Sequence, residues 1–286
     1  MKMNKFLTIA LAGVLSLGCA VGLASCDNGG DKKEVVKLNS QLDALTQLNV
    51  GTVNVAIIDS VMANYYTNVG DFSGKVQIVN NLVFAEEQYG IAGRKGDEAF
   101  VSKINDALIA IRETDFAEVA TTYGLTSEIA ISEDTTNPLA DATDNSWNEI
   151  KSTGKIVIGY TVYAPIAYEE NNKLVGFDIE LAKKTVAYIN ETEETSIDVE
   201  FQVIDWNSKE ALLDNGTIDL IWNGLTITKA RKDNMCISVP YLNNKQVAVI
   251  RKEDAEKYTT KESIATTIIG VEAGSAGEDV ANALIG

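Results

Sequence analysis

Residues 221–231 hold the densest set of groups able to do chemistry: Ile221-Trp222-Asn223-Gly224-Leu225-Thr226-Ile227-Thr228-Lys229-Ala230-Arg231. An apolar run over 218–222 stops at Asn223-Gly224, and Thr226, Thr228 and Arg231 follow. This set suits carboxylate capture. Gly224 lets the backbone come close, Thr226 offers a hydroxyl, and Arg231 offers a planar fork that grips a carboxylate through two hydrogen bonds. In an open α/β sheet such ligands sit outside the carboxyl ends of the strands. A plainer reading stands beside it: an ordinary strand-to-helix turn in which Thr228 caps a helix and Arg231 makes a surface ion pair. The stretch alone does not choose between them.

The elements that must position these residues follow from periodicity. Leu38, Leu42, Leu45 and Leu48 recur every three or four residues, which predicts a helix from about Ser40. Residues 53–58 read as a buried strand ending in Asp59, with a helix over 60–66 after it. Short strands are predicted at 76–79 and 89–94, and two amphipathic helices across 97–120. Residues 132–148 lack periodicity, are rich in turn formers, and read as a linker. Beyond it, strands at 155–159, 199–204, 218–222, 246–251 and 268–271 alternate with helices at 178–190, 208–215 and 260–264. Asp178 is placed as the N-cap of the first of these helices. Residues 274–278, Gly-Ser-Ala-Gly-Glu, form a glycine-rich turn that opens a last helix. Alternation of strands and helices predicts a parallel sheet.

Composition removes several mechanisms. The 286 residues leave room for one large or two modest domains with real cores. Twenty-four Lys plus Arg against 41 Asp plus Glu give a net charge of −17, which argues against a nucleic-acid partner. There is no histidine, so Ser-His-Asp and Cys-His nucleophiles and nearly all common zinc sites are excluded. No catalytic residue, metal site or cofactor is assigned. The first residues, Met-Lys-Met-Asn-Lys, precede an apolar run over 6–24, the pattern of an export signal. Its end, Leu23-Ala24-Ser25-Cys26, resembles the lipobox of bacterial lipoproteins, which implies cleavage before Cys26 and a lipid on its sulfur. A plain signal peptide or an uncleaved anchor are the alternatives. Residues 27–33 read as a polar tether, and Cys236 as a small buried hydrophobe with no disulfide partner.

Several stretches together resemble a known family. They are residues 154–159, Gly-Lys-Ile-Val-Ile-Gly; 163–165, Tyr-Ala-Pro; and 176–182, Gly-Phe-Asp-Ile-Glu-Leu-Ala. Residues 216–219, Gly-Thr-Ile-Asp, then 225–231 and 238–241, Ser-Val-Pro-Tyr, continue the set. In order and spacing they are similar to the type II periplasmic binding proteins for amino acids, family 3 of the bacterial extracellular solute-binding proteins. The halves are exchanged: residues 45–59, 86–96 and 107–123 look like segments that in the family follow the Gly274-Ser275 turn. The resemblance therefore implies a circularly permuted, two-lobed α/β Venus-flytrap fold with hinge closure. One lobe would comprise 84–131 plus 154–250 and the other 34–79 plus 253–286, with 132–148 joining the family's usual termini. The competing account is a remnant of a tandem pair.

The resemblance also implies roles. Arg231 would clamp a ligand α-carboxylate, aided by Thr226, the backbone of Asn223, Gly224 and Leu225, and the amides of Ser275 and Ala276 at a helix N-terminus. Asp59 would accept the α-ammonium and Tyr163 would pack on the ligand side chain. Ser275 also reads as a capping box with Glu278, and Asp59 as an N-cap. The run Gly159-Tyr160-Thr161-Val162-Tyr163 lacks an acidic residue that relatives for lysine, arginine and ornithine carry before the aromatic. Trp222 and Tyr160 point toward an apolar or neutral polar side chain. The implied function is a monomeric, lipid-anchored amino-acid receptor on the extracellular face of the membrane, or a periplasmic lipoprotein, that delivers its ligand to an ABC permease. The alternative from another class is a same-fold enzyme such as a cyclohexadienyl dehydratase, which needs a general acid in the cleft.

Overall fold

A computed structural model describes residues 33–286; the expected leader, Cys26 and the tether up to residue 32 lie outside the described residues. The chain runs through β1 (Glu34–Leu38), α1 (Gln41–Val50), β2 (Val55–Asp59) and α2 (Ser60–Asn68) into the 19-residue strand β3 (Val76–Arg94). Helices α3 (Glu98–Ala110), α4 (Asp115–Thr122) and α5 (Ser146–Thr153) lead to β4 (Lys155–Tyr160) and the hairpin of β5 (Tyr168–Glu170) and β6 (Lys173–Val175). Then come α6 (Phe177–Thr192), β7 (Asp198–Val203), α7 (Lys209–Asp214), β8 (Leu220–Thr226) and α8 (Lys229–Asn234). Strands β9 (Met235–Ile237) and β10 (Leu242–Arg251), helix α9 (Lys261–Ile264), β11 (Ile268–Glu272) and α10 (Ala276–Ile285) follow.

Among the described residues nine strands form one mixed sheet, ordered β1-β11-β2-β10-β3-β8-β4-β7, with β9 branching from β3. At one end β1, β11 and β2 are parallel, with Val36 beside Gly270 and Gly270 beside Ala56. At the other end β8, β4 and β7 are parallel. The two ends are joined by β3 and β10, long antiparallel neighbours that also pair with β8 and β2. The predicted parallel sheet is thus parallel only at its ends. Strands β3 and β10 are the ones that pass between the two ends of the sheet. Segments 34–59 and 268–285, far apart in sequence, are interleaved: β11 lies between β1 and β2.

Local chemistry sets these elements. Helix α1 starts where the Ser40 hydroxyl accepts the Asp43 N–H at 3.0 Å and stops at Gly51, whose φ of +84° favours glycine. Its buried face, Gln41, Ala44, Leu45 and Leu48, keeps the helical repeat. Val55, Ala56, Ile57 and Ile58 are all buried, as a strand covered on both faces requires, and each large side chain removed from water contributes about 1.5–3 kcal/mol.

Four sequence expectations change. Residues 76–79 and 89–94 are parts of one strand, because β10 pairs with 76–78 through 249–251 and with 83–89 through 242–247, while Asn80 and Asn81 lie in the irregular stretch opposite Ala248. Glu34–Leu38 is a strand that the leucine spacing hid. Strand β8 continues through Asn223-Gly224 to Thr226, paired to β3 at Thr226 and Leu225. Asp178 does not cap α6; the N-cap is Gly176, and the Asp178 carboxylate turns inward. The predicted linker 132–148 is irregular up to 145, its last three residues opening α5, and it is pinned, with Asn137 donating to Asp106 and Asp144 accepting from the Ala99 N–H, each at 2.7 Å. Cys236 is buried and, among the described residues, unbridged, and burial pushes its thiol up to about 12.

Candidate functional site

At the carboxyl ends of β2, β11 and β8, between the two parallel ends of the sheet, lies a small, narrow cavity. Asp59, Tyr163, Asn223, Gly224, Thr226, Arg231, Ser275 and Ala276 line it together. Leu225 does not; its side chain is buried in an apolar cluster with Ala92, Ile221 and Met235. Trp222 and Tyr160 are also buried away from the cavity. Four lining residues were not anticipated: Gln41, Thr161, Trp206 and Glu272. Glu272 had a readable signal. It ends β11 as Asp59 ends the neighbouring parallel strand β2, so the same strand-end rule reaches both.

Asp59 makes no side-chain cap bond to α2. Its carboxylate instead accepts amide N–H groups from Gln41, Asn244 and Gln246, the last at 2.6 Å, while its backbone N–H donates to Gln41 Oε1 at 2.9 Å. Burial pushes the carboxyl up to about 6, the charge of Glu87 adds to this, and the amide bonds hold it from rising further. Glu87 Oε2 accepts from Asn244, Gln246 and the Thr226 hydroxyl at 3.0–3.1 Å, so the crossing strands link Asp59 to β8.

On the opposite wall, the Thr228 hydroxyl caps α8 by accepting the Arg231 N–H at 3.1 Å, as the plainer reading of that turn proposes. The Arg231 side chain is not on the surface: it is 8% exposed, and its guanidinium donates to Thr226 O at 2.7 Å and Gly274 O at 3.2 Å. Among the described residues no carboxylate pairs with it. Two carbonyls fix the fork and leave other N–H groups free for an anion. Beside it, α10 begins at Ala276, with the Ser275 hydroxyl accepting the Glu278 N–H at 3.2 Å and Glu278 Oε2 accepting the Gly274 N–H at 2.8 Å. Capping therefore occupies the serine hydroxyl and leaves the first helical amides facing the cavity wall. Lys209, 3% exposed, donates to Trp206 O at 3.1 Å and Gly274 O at 3.0 Å; burial and then the charge of Arg231 bring it down to about 8.

A third wall comes from β8. Gly224 has φ +65°, and a Cβ there would lie 2.8 Å from Tyr163 Cε1, so the position requires glycine. Its N–H is held by Asp178 Oδ2 at 2.9 Å, which also accepts the Tyr241 hydroxyl at 2.8 Å. Burial pushes Asp178 up to about 7. Tyr163 shares a hydrogen bond of 2.6 Å with Tyr89. Asn223 donates to the Thr161 hydroxyl at 3.0 Å, and its Oδ1 is buried without a partner. Chemically, the cavity holds a cation, a helix N-terminus and a carboxylate together, and adds the unpartnered Asn223 Oδ1.

Comparison with known proteins places the chain. Residues 156–274 match the model of the bacterial extracellular solute-binding proteins, family 3. The probable ABC transporter extracellular-binding protein YckB of Bacillus subtilis is 28% identical over 121 residues, 40% of each chain. The arginine-binding extracellular protein ArtP of the same organism is 30% identical over 141 residues, 49% of this chain and 52% of its own. A solved polar amino acid ABC uptake transporter substrate-binding protein from Streptococcus thermophilus is 41% identical, covers 35% of this chain and 36% of its own, and superposes with a TM-score of 0.28. The chain spans 40–52% of the length of these two Bacillus relatives. Over residues 156–274, less than half of its length, the chain is similar to the bacterial extracellular solute-binding proteins, family 3.

Proposed function

We propose that this protein is an extracellular receptor for a free α-amino acid, bound as a zwitterion between two lobes and handed to an ABC importer. The observation that carries the reading is that one cavity brings together Arg231, from the β8–α8 side, with Asp59 and the α10 N-terminus, from the β2–β11 side. The α-carboxylate goes to the free N–H groups of Arg231 and the amides at Ala276, and the α-ammonium to Asp59. Tyr163 and Asn223 contact the rest of the ligand. The relatives named for extracellular binding in ABC transporters support the partner.

The lobes are those expected from the sequence, 84–131 with 154–250 and 34–79 with 253–286. They close by bending at β3 and β10, the strands that pass between the ends of the sheet. The order of the family's segments is circularly permuted, a reading supported by β11 sitting between β1 and β2. Cys26 carries the lipid that holds the receptor at the extracellular face of the membrane. Binding rather than catalysis is the work of the site.

The test is calorimetric titration and thermal melting of the full chain with each of the twenty amino acids. A ligand at a hundredfold excess over its Kd should stabilise the fold by about 2.7 kcal/mol. Stabilisation by one or a few amino acids, with no product formed from prephenate or arogenate, is the expected result. A cooperative melt that no amino acid moves would sink the receptor reading, and turnover of prephenate would replace it with the dehydratase.

A further inference from the structure

We propose that the ligand is an amino acid with a basic side chain, and that Glu272, together with the free Oδ1 of Asn223, receives the side-chain cation. The inference rests on the receptor reading and adds the class of side chain. Its starting point is the charge left over when a zwitterion is placed in the cavity. The α-carboxylate answers Arg231 and the α-ammonium answers Asp59. Glu272 then remains, 4% exposed, on the same wall as Asp59. Among the described residues no cation forms an ion pair with it. Lys209 acts on it from a distance, because its ammonium is spent on the carbonyls of Trp206 and Gly274 and lies 4.8 Å over the Trp206 ring. The hydrogen-bonding neighbour of Glu272 is the Gln41 amide, which already serves Asp59.

A second, independent feature asks for the same kind of group. Asn223 is 2% exposed, lines the cavity, and has spent its amide N–H on Thr161, so Oδ1 is an acceptor with no donor. An apolar ligand side chain would leave that oxygen and the Glu272 carboxyl unmatched in a dry site, which discriminates strongly against it. A side chain ending in cationic N–H groups supplies donors to both. Burial and the nearby charge of Asp59 push Glu272 up to about 8, so near neutral pH it holds a proton that a bound cation would displace. The residues that pointed to a neutral ligand, Trp222 and Tyr160, stand outside the cavity. The acidic group missing from the run 159–163 is here supplied by the other side of the cavity, from the end of β11.

The experiment uses ligands of matched length that differ in charge: lysine against norleucine, and arginine against citrulline, titrated calorimetrically into the full chain. The charged member of at least one pair should bind roughly tenfold tighter or more, the weight of one good charge-assisted contact. In Glu272→Gln the gap should shrink to less than about threefold. Neutral members binding as tightly as charged ones in the native protein, a comparison that needs no variant, overturn the inference and leave the receptor reading standing. A gap that survives in Glu272→Gln overturns the role of Glu272. Failure of every α-amino acid to bind overturns both.

Discussion

Asp59 offers the most direct handle on the site, because its charge is set by its surroundings. Burial and the charge of Glu87 raise its carboxyl to about 6 in the ligand-free protein. Only the ionised form can pair with an ammonium, so the binding-competent fraction falls as the pH drops through 6. One unit below that value roughly a tenth of the molecules are competent, and the apparent Kd rises by the inverse of that fraction. For a ligand with a neutral side chain, which leaves Glu272 protonated, moving from pH 7 to pH 5 should therefore weaken binding about tenfold, equal to about 1.4 kcal/mol. A basic ligand should lose more, because Glu272 must also give up its proton. Pairing with the ammonium also lowers the bound-state pKa, so binding between pH 5 and 6 should release a proton. Titration calorimetry at pH 5, 6 and 7, in buffers of different ionisation enthalpy, reads both quantities. In Asp59→Asn the acid-side step should vanish, and affinity at pH 7 should fall by about 2–5 kcal/mol, the cost of removing one partner of a buried charge pair. An affinity that is flat from pH 5 to 7, or an Asp59→Asn variant that keeps the step, would refute the assignment of Asp59 to the ammonium.

Arg231→Lys keeps a charge but loses the planar fork held by Thr226 O and Gly274 O; calorimetry should show ligand affinity lower by about 2–4 kcal/mol, with the melt little changed. Gly224→Ala forces a side chain into φ +65° and against Tyr163, so both melting temperature and affinity should drop, the former by about 1–3 kcal/mol of stability. Ligand-free stability should fall as pH rises from 5 to 8. A carboxyl with a raised folded pKa stabilises the fold only while protonated, so the contribution of Asp178 is complete below its ordinary 3.8 and lost as pH rises through about 7. Between pH 5 and 8 the loss amounts to about 3 kcal/mol at most, and Glu272 adds to it up to about pH 8. Urea unfolding at the two pH values measures the slope, and Asp178→Asn should flatten it.

What the sequence disclosed and what it concealed divide along one physical line. Local rules recovered the elements whose cause is local: the start of α1 near Ser40, the Thr228 cap, and the helical repeat of Leu45 and Leu48. They missed what pairing decides. Nothing within 76–94 says that its two apolar runs are one strand; β10, more than 150 residues away, supplies the partner that makes it so. Glu34–Leu38 is a strand because β11 lies beside it, and its own alternation is too short to declare itself. The site follows the same rule. Residues close to an obvious motif, Asn223 to Arg231, were found along the chain, although Leu225 then turned into the core. Gln41 and Thr161 carry no signal apart from the residues they meet, since an amide or a hydroxyl is unremarkable until a buried carboxylate or amide faces it. Asp178 was misplaced for a related reason: at the start of a helix an aspartate is ordinarily a cap, and only the fold shows that Gly224 and Tyr241 wait for its carboxylate. That misplacement matters to function. By holding the Gly224 N–H, Asp178 fixes the backbone that carries Asn223 into the cavity, so a residue behind the wall sets the position of an acceptor in front of it.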